Sequence, residues 1–156
     1  VGGRRCGCSP STQRTEAVRT GAASETGANQ WEIYRATAYG DPESNEQAQS
    51  EGTVEGSVAF GICCATSVEI ELTGNIETLN TGFDTVLVTL NGEEVFSFES
   101  TDTSEDPWET TGVGPFSVNL SLSDRPCGNV IEITGSTGDE IANNDVWWRA
   151  RVVSIG

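Results

Sequence analysis

Apolar residues recur at every second position through most of this chain, most cleanly at Val68-Glu-Ile-Glu-Leu72. That period of two is what a strand with one buried face and one wet face requires. The same alternation runs through Val54, Val58, Phe60 and Ile62, and again through Phe116, Val118, Leu120 and Leu122. Phe83 to Leu90, then Asn91-Gly92, then Val95 to Phe98 read as a β-hairpin, because Asn-Gly accepts the positive φ that a tight hairpin turn demands. Trp31, Ile33 and Tyr39 open a first strand, and Val130 to Ile133 and Val146 to Ile155 supply the last two. Asp41-Pro42 could cap one helical turn, but 41–51 is polar and acidic and reads as a loop. About eight short strands joined by turn residues predict an all-β, antiparallel β-sandwich, jelly-roll or immunoglobulin-like. With 156 residues the chain has room for one substantial core, and a split in two would leave each half marginal.

The sandwich is expected over residues 30–156, preceded by an extended N-terminal arm over 1–29. The arm is rich in Gly, Ser, Thr, Ala and Arg and lacks the large apolar groups a core needs. Charge divides along the same line. Arg4, Arg5, Arg14 and Arg19 against Glu16 and Glu25 give residues 1–30 a net of 4 − 2 = +2, so with −16 for the whole chain the rest carries −18. A duplex phosphate backbone would be repelled by such a body, which argues against nucleic acid as a partner. Histidine is absent, which excludes Ser-His-Asp and Cys-His mechanisms and removes the commonest general base. The expectation is a protein that is not an enzyme. No apolar run approaches the roughly 18 to 20 residues of a membrane-spanning helix, so no membrane partner is expected. The opening Val1-Gly-Gly-Arg-Arg-Cys has no apolar stretch behind its basic residues, which leaves a leader already removed or release inside a particle. Either route places the chain in a virion or outside the cell.

Cys6, Cys8, Cys63, Cys64 and Cys127 form no CxxC pair, which speaks against a zinc ribbon or a redox motif and for disulfides. Adjacent strand residues point to opposite faces, so Cys63 and Cys64 need separate partners. One arrangement joins one of them to Cys127 and the other to Cys6 or Cys8, leaving a thiol over. Thiolate metal ligation and reduced, buried cysteines are the alternatives.

Carboxylates are the next candidates. Asp102, Glu105, Asp106 and Glu109 share one long loop, and Asp139, Glu140 and Asp145 share another with Asn143 and Asn144. Calcium takes six to eight oxygens from such groups, yet neither stretch has the EF-hand pattern. The reading is no cofactor, with calcium at Asp139, Glu140 and Asp145 as the metal these loops could take. Carboxylate pairs also serve glycoside hydrolysis, but only at a fixed separation in a cleft, and a chain this acidic offers pairs everywhere.

Trp147 and Trp148 are adjacent on a strand, so parity separates them. Val146, Trp148, Ala150 and Val152 make the better core row. Trp147, Arg149, Arg151 and Val153 then face outward, a surface that can stack on a sugar ring or pack on another subunit, unless the arginines merely cover Trp147 and pair with nearby carboxylates. Trp108, after Pro107, either tucks back onto the sandwich or stands out as an anchor.

The stretch Gly82-Phe-Asp-Thr-Val-Leu-Val-Thr-Leu-Asn-Gly-Glu-Glu-Val-Phe resembles hairpins of many extracellular and viral β-sandwich modules. The arm with Cys6-Gly-Cys8, followed by a β domain ending in Val-Trp-Trp-Arg-Ala-Arg, resembles small β-sandwich structural proteins of tailed-phage particles. That resemblance implies a fold and carries over no functional residue. The first functional reading is a structural subunit of a virion or extracellular assembly, its basic arm lying on the acidic body of another copy or of another particle protein. The second is a carbohydrate-binding or adhesion module of a secreted protein, with Trp108 or Trp147 as the stacking platform for a glycan. In a third, the arginines of the arm touch packaged nucleic acid from inside a shell.

Overall fold

The computed structural model describes residues 13–37, 54–77, 84–99, 110–122, 128–137 and 145–156. They form ten strands: β1 (Val18–Gly21), β2 (Ser24–Gly27), β3 (Gln30–Thr37), β4 (Glu55–Ile62), β5 (Ser67–Glu77), β6 (Thr85–Leu90), β7 (Glu93–Glu99), β8 (Thr110–Ser121), β9 (Asn129–Ser136) and β10 (Asp145–Ile155). The described residues contain no helix, and so none long and apolar enough to cross a membrane.

Two five-stranded antiparallel sheets stack face to face. The first has the order β1-β4-β9-β6-β7 and the second β2-β3-β10-β5-β8. From β3 onward the chain is wound as a jelly roll: β3 pairs with β10 and β4 with β9, while β6 and β7 close the winding as a hairpin. Of the two topologies that the alternation allowed, this is the one present.

Parity fills the core. β4 alternates strictly between buried and outward residues, burying Val58, Phe60 and Ile62. β10 buries Val146, Trp148, Ala150 and Val152. Trp31 stacks on Phe60 with centroids 5.2 Å apart, and Phe98 packs on Trp148 at 5.3 Å. Two glycines make room for the largest side chains. A Cβ on Gly74 would lie 2.9 Å from the Trp148 indole, and one on Gly135 would lie 3.0 Å from the Tyr34 ring. The hairpin turn is the expected one: Asn91 and Gly92 both have positive φ, at 52° and 85°. Asn91 also ties the turn to β9, accepting from Val130 N at 2.8 Å and donating to Asn129 Oδ1 at 3.0 Å.

The stretch expected to be an extended arm is more structured where it is described. Residues 13–29 lie against the chain's own sandwich, with β1 on the outer edge of β4 and β2 on the outer edge of β3. Thr15 N donates to Gly61 O and Ala22 N to Glu55 O, each at 2.8 Å. An edge strand is held by backbone hydrogen bonds, so Val-Arg-Thr-Gly and Ser-Glu-Thr-Gly can pair without any apolar face of their own. Their service is to cover one flank of each sheet. Tyr39 and residues 1–12 lie outside the described residues.

Candidate functional site

The outward row of β10 carries the candidates that parity singled out. Trp147 is half-buried and Arg149 and Arg151 are exposed. The Arg149 guanidinium lies 3.9 Å from the centroid of the Trp147 indole, and its Nε donates to Glu32 Oε2 at 3.0 Å. Arg151 Nη2 donates to Glu71 Oε1 at 3.2 Å. Both features of the bland reading are therefore present, since an arginine covers Trp147 and the arginines pair with local carboxylates.

Beside this row the sheet sinks into a recess of about 230 Å³, lined by Thr26, Gln30, Trp31, Glu71, Thr73, Trp147, Arg149, Ala150 and Arg151. These come from β2, β3, β10 and β5, four neighbours in the sheet. Ladder irregularities explain the dip. The β2–β3 register shifts between Glu25 and Gly27, at Thr26. The β3–β10 register shifts between Trp148 and Arg149, with Ile33 the extra residue, and the β5–β8 register shifts opposite Thr73, with the extra residue on β8 between Val113 and Phe116. A bulge bends its strand and re-aims the side chain it carries, so Thr26 stands at the rim where a regular pleat would have continued flat, while Thr73 keeps its regular place opposite Arg149.

The walls combine one indole, neutral donors and acceptors, and paired charges. Across the middle of this face three carboxylates, Glu32, Glu69 and Glu71, accompany three guanidiniums, Arg35, Arg149 and Arg151. The face is thus locally neutral on a chain of net charge −16. Large apolar side chains are scarce on the described surface: Val18, Val95, Val130 and Val153 are the exposed ones.

The other candidates fall elsewhere. Arg14, expected to serve an intermolecular contact, is part of the domain: its guanidinium lies 5.1 Å from the Trp31 centroid, and it donates to Asn29 Oδ1 and to Thr15 O. Backbone pairing of residues 14 and 62 places it there. Arg19 is exposed on β1 and, with Arg14, Glu16 and Glu25, borders a small polar hollow. Cys63 is buried and disulfide-bonded, to a partner outside the described residues, while Cys64 is exposed with φ 54°. Cys6, Cys8, Cys127, Arg4, Arg5, Trp108, Asp139 and Glu140 lie outside the described residues, as does the Asp145 side chain. Among the described residues no three Cys, Asp or Glu side chains gather as a metal-binding group.

One cluster had no sequence signal. Asp84 is buried at the entrance to β6, and Tyr34 and Trp148 are fully buried nearby, with the Tyr34 hydroxyl and Trp148 Nε1 hydrogen-bonded to no described group. Burial pushes the Tyr34 phenol far above its ordinary range, and the negative charge of Asp84 adds to the rise. The cluster is closed off from solvent. Of the recess itself, Thr26, Gln30, Glu71 and Thr73 were also missed, because nothing in their local sequence marks them. The weak signal was Gly74, which breaks the row of large residues after Leu72.

No protein-family model and no curated protein matches the chain. Among solved structures it is similar to a family 35 carbohydrate binding module from Clostridium thermocellum, with 20% identity, 90% of this chain and 99% of that one covered, and a TM-score of 0.33. A family 35 carbohydrate binding module from an environmental isolate gives 14% identity, 88% and 85% coverage, and a TM-score of 0.37. A structure of infectious bursal disease virus Gx strain gives 14% identity, 88% of this chain and 30% of that one, and a TM-score of 0.38. Scores and identities this low carry no argument about a ligand, an activity or an assembly, and these three do not extend the resemblance to tailed-phage proteins.

Proposed function

We propose that the chain is a non-catalytic module that binds carbohydrate on the outer face of its second sheet, in an extracellular setting. The observation that carries this reading is the recess, where the Trp147 indole stands among Thr26, Gln30, Thr73 and two ion-paired arginines. Sugars present hydroxyls that both donate and accept, together with apolar ring faces; the wall offers donors and acceptors for the first and, for the second, the part of Trp147 that Arg149 leaves open to the recess. The core of a stable protein interface is depleted of charge, whereas here two ion pairs, Arg149–Glu32 and Arg151–Glu71, surround the indole. The recess is smaller than the roughly 300–1,000 Å³ of pockets that engulf a drug-sized ligand, so it suits one ring of a chain whose neighbours rest on the sheet. A glycan array followed by titration calorimetry tests the reading. Binding is expected for the wild type and lost for Trp147→Ala and for Gln30→Ala; a wild type that binds no glycan refutes it.

One observation favours a second reading, that of an assembly subunit. Among the described residues β7 and β8, on one flank, each lack a strand on their outer side. Such edges can accept an added strand. They are also guarded, β7 by Glu93, Glu94 and Glu99 and β8 by Gly114 and Pro115. Of the four arginines expected to reach a neighbouring copy, Arg14 is engaged within its own domain, which weakens this reading. Removing residues 1–12 and measuring molar mass by light scattering tests it: a subunit held through that segment changes mass, and a monomer in both forms rules this contact out.

A further inference from the structure

We infer that the ligand of the second-sheet face is a neutral glycan chain, and that uronate-bearing or sulfated chains are rejected there. The inference rests on the carbohydrate reading above and sharpens it.

Arginines on a surface usually suggest an anion, and in residues 31–156 three of the four, Arg35, Arg149 and Arg151, lie on this one face while Arg125 falls outside the described residues. What surrounds them points the other way. Arg149 is paired with Glu32 and lies over Trp147, and Arg151 is paired with Glu71. An incoming carboxylate or sulfate would have to share a guanidinium with the carboxylate already there or displace that carboxylate. Either way it lies beside Glu32 or Glu71 as a second negative charge, and displacement merely exchanges one charge-assisted hydrogen bond for another. Glu32 has only 12% of its side chain exposed, so a displaced carboxylate there would be left poorly solvated as well. At longer range the net charge of −16 opposes the approach of any anion.

A hydroxyl meets no such obstacle. Each ion pair uses one nitrogen and one oxygen, so each guanidinium keeps N–H groups to donate and each carboxylate keeps lone pairs to accept. Paired charges of this kind present fixed donors and acceptors side by side, and neighbouring sugar hydroxyls require both. Gln30, Thr26 and Thr73 add neutral groups of the same two kinds. The recess crosses β2, β3, β10 and β5, so a chain lying along it runs across the strands over about 14 Å, three inter-strand spacings.

The test is calorimetry on the whole chain with neutral β-1,4-linked hexasaccharides of glucose, xylose, mannose and galactose, and with oligouronates of equal length, at about 0.02 M and about 0.5 M NaCl. The neutral chains are expected to bind at least about tenfold more tightly, with less than about a twofold change across the salt range. Glu32→Gln/Glu71→Gln, which releases both guanidiniums, is expected to gain about tenfold for the oligouronate at low salt and to lose that gain at high salt. Tighter binding of the oligouronate by the wild type, weakened by salt, would overturn the neutral-ligand inference and leave the carbohydrate reading standing. Binding of neither class would remove both. The wild-type comparison decides the matter even if the double variant does not fold.

Discussion

Gly74→Ala isolates what holds the second sheet to the core. Gly74 sits on β5 against Trp148, which is 0% exposed and is packed by Phe98 at 5.3 Å and by Phe116 at 6.3 Å between centroids. An added Cβ would stand 2.9 Å from two indole carbons and 3.0 Å from a third. The indole is enclosed by these neighbours, so either the ring or the β5 backbone must move, and overpacking of this kind costs about 1–3 kcal/mol. Against it stands the gain of about 0.4–1 kcal/mol from a less flexible unfolded chain. The net is a loss of about 1–2 kcal/mol, which at a slope of about 2 kcal/mol per molar urea lowers the unfolding midpoint by about 0.5–1 M. Gly112→Ala is the control, because a Cβ there meets nothing within 4 Å; it should raise the midpoint slightly through the entropic gain alone. In a Trp148→Phe background the penalty of the alanine should shrink, which a double-mutant cycle reads directly. A Gly74→Ala protein whose midpoint equals or exceeds that of the wild type would refute the claim that this glycine exists to admit the indole.

Parity on β10 makes a paired prediction: Trp148→Ala should cost about 3–5 kcal/mol as a buried aromatic, and Trp147→Ala no more than about 1 kcal/mol, chiefly its contact with Arg149, in urea melts of the two variants. Tyr34 has a folded-state pKa above its unfolded value near 10, so the neutral phenol stabilises the fold fully below that pH and the contribution falls as pH rises beyond it. Stability should therefore drop by about 1.4 kcal/mol per pH unit above about pH 10, and Tyr34→Phe should flatten that slope. Asn91→Ala should cost about 2 kcal/mol, since it removes both a positive-φ turn residue and two side-chain hydrogen bonds to β9; a change under about 0.5 kcal/mol would show that the turn does not depend on them.

The eight strands from β3 to β10 were readable because a half-buried strand imposes its parity on its own residues, so Val68, Ile70 and Leu72 disclose their face without reference to any other segment. The short strands β1 and β2 were not, because an edge strand stabilised by its backbone leaves no such mark on its side chains. Topology was hidden for another reason. The pairing of Ile62 with Asn129, or of Trp147 with both Arg35 and Asn75, joins residues far apart in sequence and is decided by how the two sheets close around one core. The candidate site divides along the same line. Its β10 component, Trp147 with Arg149 and Arg151, follows from parity alone. Glu32 and Glu71, which pair with those arginines, reach them only through the order β3-β10-β5. An isolated row of arginines beside an indole carries a net positive charge, and the same row set between two strands bearing glutamates is a set of ion pairs. Chemistry on a sheet face is thus a property of strand order as much as of composition.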